Sequence, residues 1–142
     1  MPTVFTRIID GELPGRFVWK DDQAVAFLSI APITPGHTLV VPRAEIDHWL
    51  DLDDELWRHC ASLARTIGQG IQRAFDPPRV GQMIAGFEVP HMHIHVAQIA
   101  ELADLSFDRA DPDPDPAEMD AAAALIRTAL RELGHADQVP AG

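Results

Sequence analysis

Five short runs with strand character and two longer helical segments describe one domain that mixes β-strands with α-helices. Three observations carry this reading. Residues His91-Met92-His93-Ile94-His95-Val96 alternate imidazole with apolar side chains, which is the period of a strand. Leu56, Cys60, Leu63, Ile67, Ile71 and Ala74 recur at spacings of three and four, which is the period of a helix. Stretches rich in Pro and Gly separate these patterned runs.

The elements follow in order. Val4 to Ile9 reads as a short amphipathic turn of helix ended by Gly11 and Pro14. Phe17-Val18-Trp19 and Ala24 to Ile30 read as strands joined by a turn at Lys20-Asp21-Asp22. The breaker-rich loop Pro32-Ile33-Thr34-Pro35-Gly36 feeds His37-Thr38-Leu39-Val40-Val41-Pro42, a β-branched run that predicts a central strand. Asp53 or a neighbour caps a helix running to about Phe75, where Asp76-Pro77-Pro78 stops it. Gly68 and Gly70 weaken that helix unless something packs closely against them. Val80 to Ile84 and His91 to Ile99 are the last two strands, with a turn at Ala85-Gly86 between them.

After Ile99 the composition shifts. Asp111-Pro112-Asp113-Pro114-Asp115-Pro116 is a charged linker that fits no helix or sheet interior. Its end starts a helix, with Asp115 as N-cap, Pro116 at N1 and Gly134 beyond the C-terminus. Met119, Ala123, Leu125, Ile126, Leu130 and Leu133 form its apolar side, which must dock on the domain or on a partner.

Composition bounds the function. Formal charge is −11 and Lys20 is the only lysine, so no basic stripe exists to bind nucleic acid. No run of eighteen apolar residues marks a membrane span and no leader pattern marks export. The single cysteine, Cys60, falls on the apolar face of its helix and suits a reducing cytoplasm.

Three of the seven histidines lie within five residues, and they share one strand face. One histidine there would be a tolerated polar residue; three in register ask for more. Metal binding is one reading. Residues four apart on a strand are roughly 13 Å apart, and zinc needs each nitrogen at about 2.1 Å. His91 and His95 therefore cannot easily share an ion, although His37 with two adjacent members of the row could. The other reading is nucleophilic catalysis at phosphorus. A neutral imidazole attacks the phosphate, a hydrogen bond at its other nitrogen fixes the tautomer, and a second imidazole moves protons. His93, in the middle, is the nucleophile in that scheme, with His91 and His95 to orient and relay.

The block from Gly86 to Ala97 resembles the signature of the histidine triad (HIT) family, His-φ-His-φ-His-φ-φ with φ apolar, in its bacterial, Hint-like form. Residues Val4 to Pro14, Ala26 to Pro32 and Pro35 to Pro42 resemble the earlier blocks of that family, in the same order. The resemblance implies an α+β, HIT-like fold: a five-stranded antiparallel sheet, one long helix, a short N-terminal helix and a homodimer whose sheets join. It places a HIT domain at 1–103; the acidic linker at 104–116 and the C-terminal helix and tail at 117–142 fall outside it. It implies a nucleotide hydrolase or transferase acting on an α-phosphate. His93 would take the nucleoside monophosphate, His95 and His91 would flank the phosphate, and His37 would complete the relay. Phe5, Ile8, Phe27, Leu28, Ile30 and Leu39 would line the nucleoside pocket, positions that plain core packing explains equally well. Neither a cofactor nor a metal is called for.

This chain departs from the family pattern at four places. Ser29 stands where an acidic or amide residue usually holds the ribose hydroxyls. The loop before the triad is shortened to Met83-Ile84-Ala85-Gly86, and Phe87 replaces a glutamine. Gln98-Ile99 follows the triad strand in place of Pro-Arg. Glu88 occurs in many bacterial members, and its charge argues against direct contact with a phosphate. A nucleotide- or anion-binding module without catalysis is the alternative these departures raise, and a metal-dependent hydrolase using His37 is a second.

Overall fold

The computed structural model describes residues 2–142; Met1, the first residue of the expected 1–103 unit, lies outside them. A short helix α1 (Val4–Ile9) precedes the hairpin of β1 (Phe17–Lys20) and β2 (Ala24–Leu28). Strand β3 (Thr38–Pro42), the long helix α2 (Asp54–Phe75), β4 (Arg79–Met83), β5 (Ile94–Ile99) and α3 (Pro116–Glu132) follow. The five strands form one antiparallel sheet in the order β1-β2-β3-β5-β4, so β3 is central, as its β-branched run predicts.

The centre of the sheet is buried on both faces, which is why β2 and β3 read as unbroken apolar runs. Ala24, Ala26, Leu28, Val40, Ile94 and Val96 point to the helices, where they pack against Cys60, Leu63, Ile67 and Ile71 of α2. Val25, Phe27, Leu39 and Val41 point the other way and form a second cluster with Phe5 and Ile8 of α1. A bulge between Phe17 and Trp19 puts both Val18 and Trp19 on the helix side while Phe17 stays with Phe27.

Capping sets the helix ends. Asp53 accepts a hydrogen bond from the Leu56 amide at 2.8 Å, and Asp76 closes α2 in the left-handed conformation. Asp115 accepts from the Ala117 amide and Pro116 takes N1 of α3. The turn after β1 is held by Asp21, whose carboxylate accepts from Gln23, Ala24 and the Trp19 indole and faces His59 of α2 at 2.7 Å.

Helix α3 docks on this chain's own core. Met119, Ala122, Ala123, Ile126 and Leu130 belong to the same cluster as α2 and the sheet. Leu125 and Leu133, expected on the apolar side, are 49% and 39% exposed instead. Ala122 and Ala129 take buried positions in their place. Gly70 lies at the contact between α2 and α3: a Cβ on it would lie 2.8 Å from Leu130 Cδ2. The glycine that costs α2 helix propensity is thus the point where α3 crosses it.

Strands β1 and β4 shift by one residue from the sequence reading, to Phe17–Lys20 and Arg79–Met83, and three further boundaries bear on the site. Strand β2 ends at Leu28, not Ile30, because the Ser29 hydroxyl accepts from the Ala31 amide and turns the chain toward Pro32. Strand β3 begins at Thr38, one residue after His37. Strand β5 begins at Ile94, so His91 and His93 precede the ladder. Their backbone is held by other means, the Met92 amide donating to the Ile46 carbonyl and the His91 amide to that of Val89.

The turn that delivers His37 depends on Gly36, which sits at φ +86°, where a Cβ would come within 2.6 Å of the Phe75 ring. Gly36→Ala is expected to destabilise the fold by about 2–3 kcal/mol, combining a left-handed backbone with overpacking. A denaturant midpoint within error of wild type would show that the turn relaxes freely.

Candidate active site

Strands β3 and β5 both contribute to one cluster of imidazoles on a single face of the sheet. Leu39 pairs with His95 in register, so the end of β3 brings His37 against β5. The loop before β3 is pinned to β5 by two further hydrogen bonds. The Thr34 hydroxyl donates to the Gln98 carbonyl at 2.8 Å, and the Gln98 amide donates to the Pro35 carbonyl at 2.6 Å. Gln98, one of the departures from the family pattern, therefore positions the loop that carries His37.

Fixed partners assign the tautomers. The His93 Nδ1–H donates to the His91 carbonyl at 2.8 Å, which leaves a lone pair on Nε2. The Ile33 amide donates to His37 Nδ1 at 3.1 Å, so the His37 proton sits on Nε2 and donates to His95 Nδ1 at 2.9 Å. The His95 proton is then on Nε2. Among the described residues no buried side-chain nitrogen or oxygen lacks a partner. His93 Nε2 and His95 Nε2 have none within the protein, so both open to solvent: one as an acceptor, the other as a donor.

The resemblance placed His91 beside the phosphate; its ring lies behind His93 instead, fully buried with both nitrogens engaged. Its Nε2–H donates to the Pro42 carbonyl at 2.7 Å, and its Nδ1 accepts from the Thr3 hydroxyl at 2.6 Å. The same hydroxyl accepts the Thr6 amide as the N-cap of α1. His91 thus ties α1 to β3, while its carbonyl fixes His93. Phe5 of α1 stands edge-on to His91 and His93, with ring centroids 5.7 and 4.8 Å away.

Burial sets the charge state. It lowers His95 to about 3, helped by His93 and His37, and lowers His37 to about 4, helped by His93. It also lowers His91 and His93; for His93 the bond to the His91 carbonyl works in the opposite direction. All four imidazoles are neutral at pH 7, the state in which Nε2 of His93 is a nucleophile.

This has a consequence for stability. The unfolded chain takes up protons on these histidines below about pH 6.5, whereas folded His37 and His95 take them up only near 4 and 3. As pH falls from 6.5 the unfolded state binds more protons and gains on the folded one; above 6.5 both states are neutral and the effect vanishes. Near pH 5 the pair is expected to cost about 2–3 kcal/mol per pH unit, and His95→Asn removes about half of that slope. Urea midpoints at pH 7 and pH 5 measure it, and equal slopes for both proteins would contradict it.

A cavity of about 620 Å³ opens beside His93 and His95. Phe5, Ile8, Phe27, Leu28, Ile30 and Leu39 all line it, together with Ser29 and Glu88. Four of those six apolar residues also belong to the second core cluster, so lining and packing are done by the same side chains. Ile30 is 79% exposed and forms the rim. His37 and His91 do not reach the cavity. Sequence reasoning missed Thr3, Arg16, Asp120 and Phe107. Arg16 and Asp120 pair at 2.7 Å and both line the cavity, Asp120 from α3. The Phe107 ring stands 4.9 Å from that of His95, edge to face. The one available signal was an isolated aromatic in an otherwise polar segment. Cys60 is buried in the core, where desolvation and Asp21 push its thiol up to about 12.

Comparison with known proteins agrees with this geometry. The family profile described as the HIT domain matches residues 10–101. A HIT-like protein of Mycobacterium tuberculosis is 34% identical over 152 aligned positions, covering 97% of this chain and 99% of its own. The crystal structure of a zinc-bound histidine triad family protein from Mycobacterium smegmatis superposes with a TM-score of 0.79 at 27% identity, over 94% of this chain and 96% of that one. A hypothetical histidine triad nucleotide-binding protein from Sulfolobus tokodaii superposes with a TM-score of 0.80 at 25% identity, over 91% and 92%. The fold is the α+β, five-stranded arrangement those structures share. With the profile, the near full-length relative and the imidazole cluster in agreement, the chain belongs to the HIT family.

Proposed function

We propose that the protein is a nucleotide hydrolase that cleaves a nucleoside monophosphate from a phosphoramidate, or a related anhydride or ester, through a covalent intermediate on His93. The observation that carries this is the one open ring nitrogen with a free lone pair. His93 Nδ1 is anchored to a carbonyl while Nε2 faces an apolar cavity of about 620 Å³, within the roughly 300–1,000 Å³ of small-molecule sites. The structure from Sulfolobus tokodaii, described as nucleotide-binding, supports the same ligand class.

In the first step His93 Nε2 attacks phosphorus and a P–N bond forms. The bond to the leaving nitrogen breaks with its electron pair, and one proton is taken up from solvent as the amine departs beside the His95 Nε2–H. In the second step water attacks phosphorus, the pair returns to His93 Nε2 and one proton is released. His37 holds the tautomer of His95 throughout. The apolar lining would take the base, with Ser29 beside it to meet the ribose. The Ser29 hydroxyl already accepts the Ala31 amide, so it has one proton to donate and cannot accept from both ribose hydroxyls as a carboxylate would.

The test is release of nucleoside monophosphate from a nucleoside 5′-phosphoramidate by protein stripped of metal by chelation. Turnover at the untreated rate supports the direct imidazole mechanism. Activity that needs added zinc points to the metal-dependent reading, and tight nucleotide binding with no product over hours points to a binding module.

A homodimer completes the proposal. Strand β4 is a sheet edge, and a groove of about 880 Å³ between it and α2 is lined by Gly68, Gln72, Arg79, Gly81 and Gln82. An open edge beside a groove is where a second β4 can pair and join the two sheets. Sedimentation should give twice the 15.6 kDa of one chain; a monomer at micromolar concentration would contradict it. Among the described residues no helix is long and apolar enough to cross a membrane.

A further inference from the structure

His93 and His95 line a second cavity, on the side where Gly86, Phe87, Glu88 and Phe107 stand. It measures about 80 Å³ and shares the segment Ala85-Gly86-Phe87 and His93 with a third cavity of about 340 Å³ that contains Asp47, His48 and Trp49. The polarity of this side is distinctive. Its charged residues are Asp47 and Glu88, and no lysine or arginine lines either cavity. Phe87 and Phe107 give the smaller cavity two aromatic walls, and Phe87, 96% exposed, has no packing role that explains it.

Phe107 is held in place. It lies beyond the matched segment 10–101, at the start of a 3₁₀ turn (Phe107–Arg109) that Ser106 caps by accepting from the Asp108 amide. The Arg109 guanidinium donates to Glu101 at 3.1 Å and to Asp104 at 2.9 Å, and Asp104 in turn accepts the Ala100 and Glu101 amides. This brace sets the ring edge-on to His95.

Resting on the hydrolase reading above, we infer that this side of the triad is a leaving-group subsite for an alkylamine bearing an aryl group, with Phe107 and Glu88 as its specificity-determining residues. A phosphorus held at His93 with its nucleoside in the large cavity directs its remaining substituent into the space that His93 and His95 share with Phe87 and Phe107. An aryl group there gains edge and face contacts with the rings. An amine N–H finds a carboxylate acceptor in Glu88. A phosphate or polyphosphate leaving group meets two carboxylates and no cation, which disfavours it by like-charge repulsion. The bond broken is P–N; the electron pair stays on nitrogen, which takes up one solvent proton and leaves as the free amine.

The test compares kcat/KM for one nucleoside carrying three leaving groups: 2-phenylethylamine, methylamine and phosphate, the last as the nucleoside diphosphate. Wild type is expected to favour phenylethylamine over methylamine by about tenfold or more, and methylamine over phosphate by about 100-fold, the scale of one aromatic contact and one charge clash. Phe107→Ala should bring the first ratio close to one, and Glu88→Gln should raise use of the diphosphate relative to methylamine. Equal use of the two amines by wild type, or a Phe107→Ala effect of the same size on both, overturns the subsite. Calorimetry with the His93→Ala protein separates this from failure of the hydrolase reading. Tighter binding of the phenylethyl phosphoramidate than of the nucleoside monophosphate, lost on adding Phe107→Ala, with no turnover by wild type, keeps the subsite and overturns the hydrolase. Turnover without that binding gain keeps the hydrolase and overturns the subsite.

Discussion

Replacing His93 with alanine is expected to lower kcat for phosphoramidate hydrolysis by about 10⁴-fold or more, with nucleotide affinity changed by less than about threefold. The size follows from the part assigned to Nε2. It is the one open ring nitrogen with a free lone pair, and its neighbour Nδ1 is anchored at 2.8 Å. Without it no covalent route exists. The affinity is expected to persist because eight other side chains line the cavity at positions named from the sequence. His95→Ala and His37→Ala should cost less, about 10²-fold, since they support the departing group and its hydrogen bonds. His91→Ala should instead cost stability, because it strands the Pro42 carbonyl and the Thr3 hydroxyl. Steady-state kinetics with equilibrium binding separates these outcomes. A loss for His91→Ala equal to that for His93→Ala, in a protein of unchanged stability, would contradict the assignment.

The second large effect concerns α3. Removing residues 116–142 is expected to abolish cooperative unfolding, measured by circular dichroism in urea. Met119, Ile126, Leu130 and Val139 are buried in the core shared with α2. Each large aliphatic side chain contributes about 1.5–3 kcal/mol, and domains hold only about 5–15 kcal/mol in total. Ile126→Ala is the milder version, expected to cost about 3 kcal/mol. Its effect should reach the site: a Cβ on Gly36 would lie 3.3 Å from Ile126 Cδ1, and Gly36 precedes His37. A shortened chain that still unfolds cooperatively at the wild-type midpoint would show that α3 is an accessory to the domain.

What could be read from sequence here was local. The alternation around His93, the caps at Asp53 and Asp115 and the stop at Asp76 each depend on neighbours in the chain. The blocks at Val4–Pro14, Ala26–Pro32, Pro35–Pro42 and Gly86–Ala97, in that order along the chain, carry the family resemblance. The role of His91 was not legible, because its partners Thr3 and Pro42 lie 88 and 49 residues away. The start of β5 at Ile94 was hidden for a related reason: the histidine period continues upstream while the ladder does not. Phe107 fell inside a segment read as linker, and only the Arg109 brace reveals that it is placed. On α3, Leu125 was assigned inward by hydrophobicity, whereas Ile126 and Leu130 are the side chains that meet Gly70. Packing decided those positions, and packing is not written in periodicity.

The departures from the family pattern also look different with the geometry in view. Gln98 has a task, holding the Pro35 carbonyl. Phe87 lies on the proposed leaving-group side, and Ser29 is partly occupied by its own turn. None of the three removes a group from His93. The chemistry therefore stands or falls on one covalent bond. Wild type mixed with a nucleoside phosphoramidate, quenched within milliseconds in alkaline denaturant and analysed by intact-protein mass spectrometry, is expected to gain the mass of one nucleotidyl group. That group should map to His93 and be absent from His93→Ala. Steady turnover with no adduct at any quench time, or an adduct mapping to His95, would contradict the account.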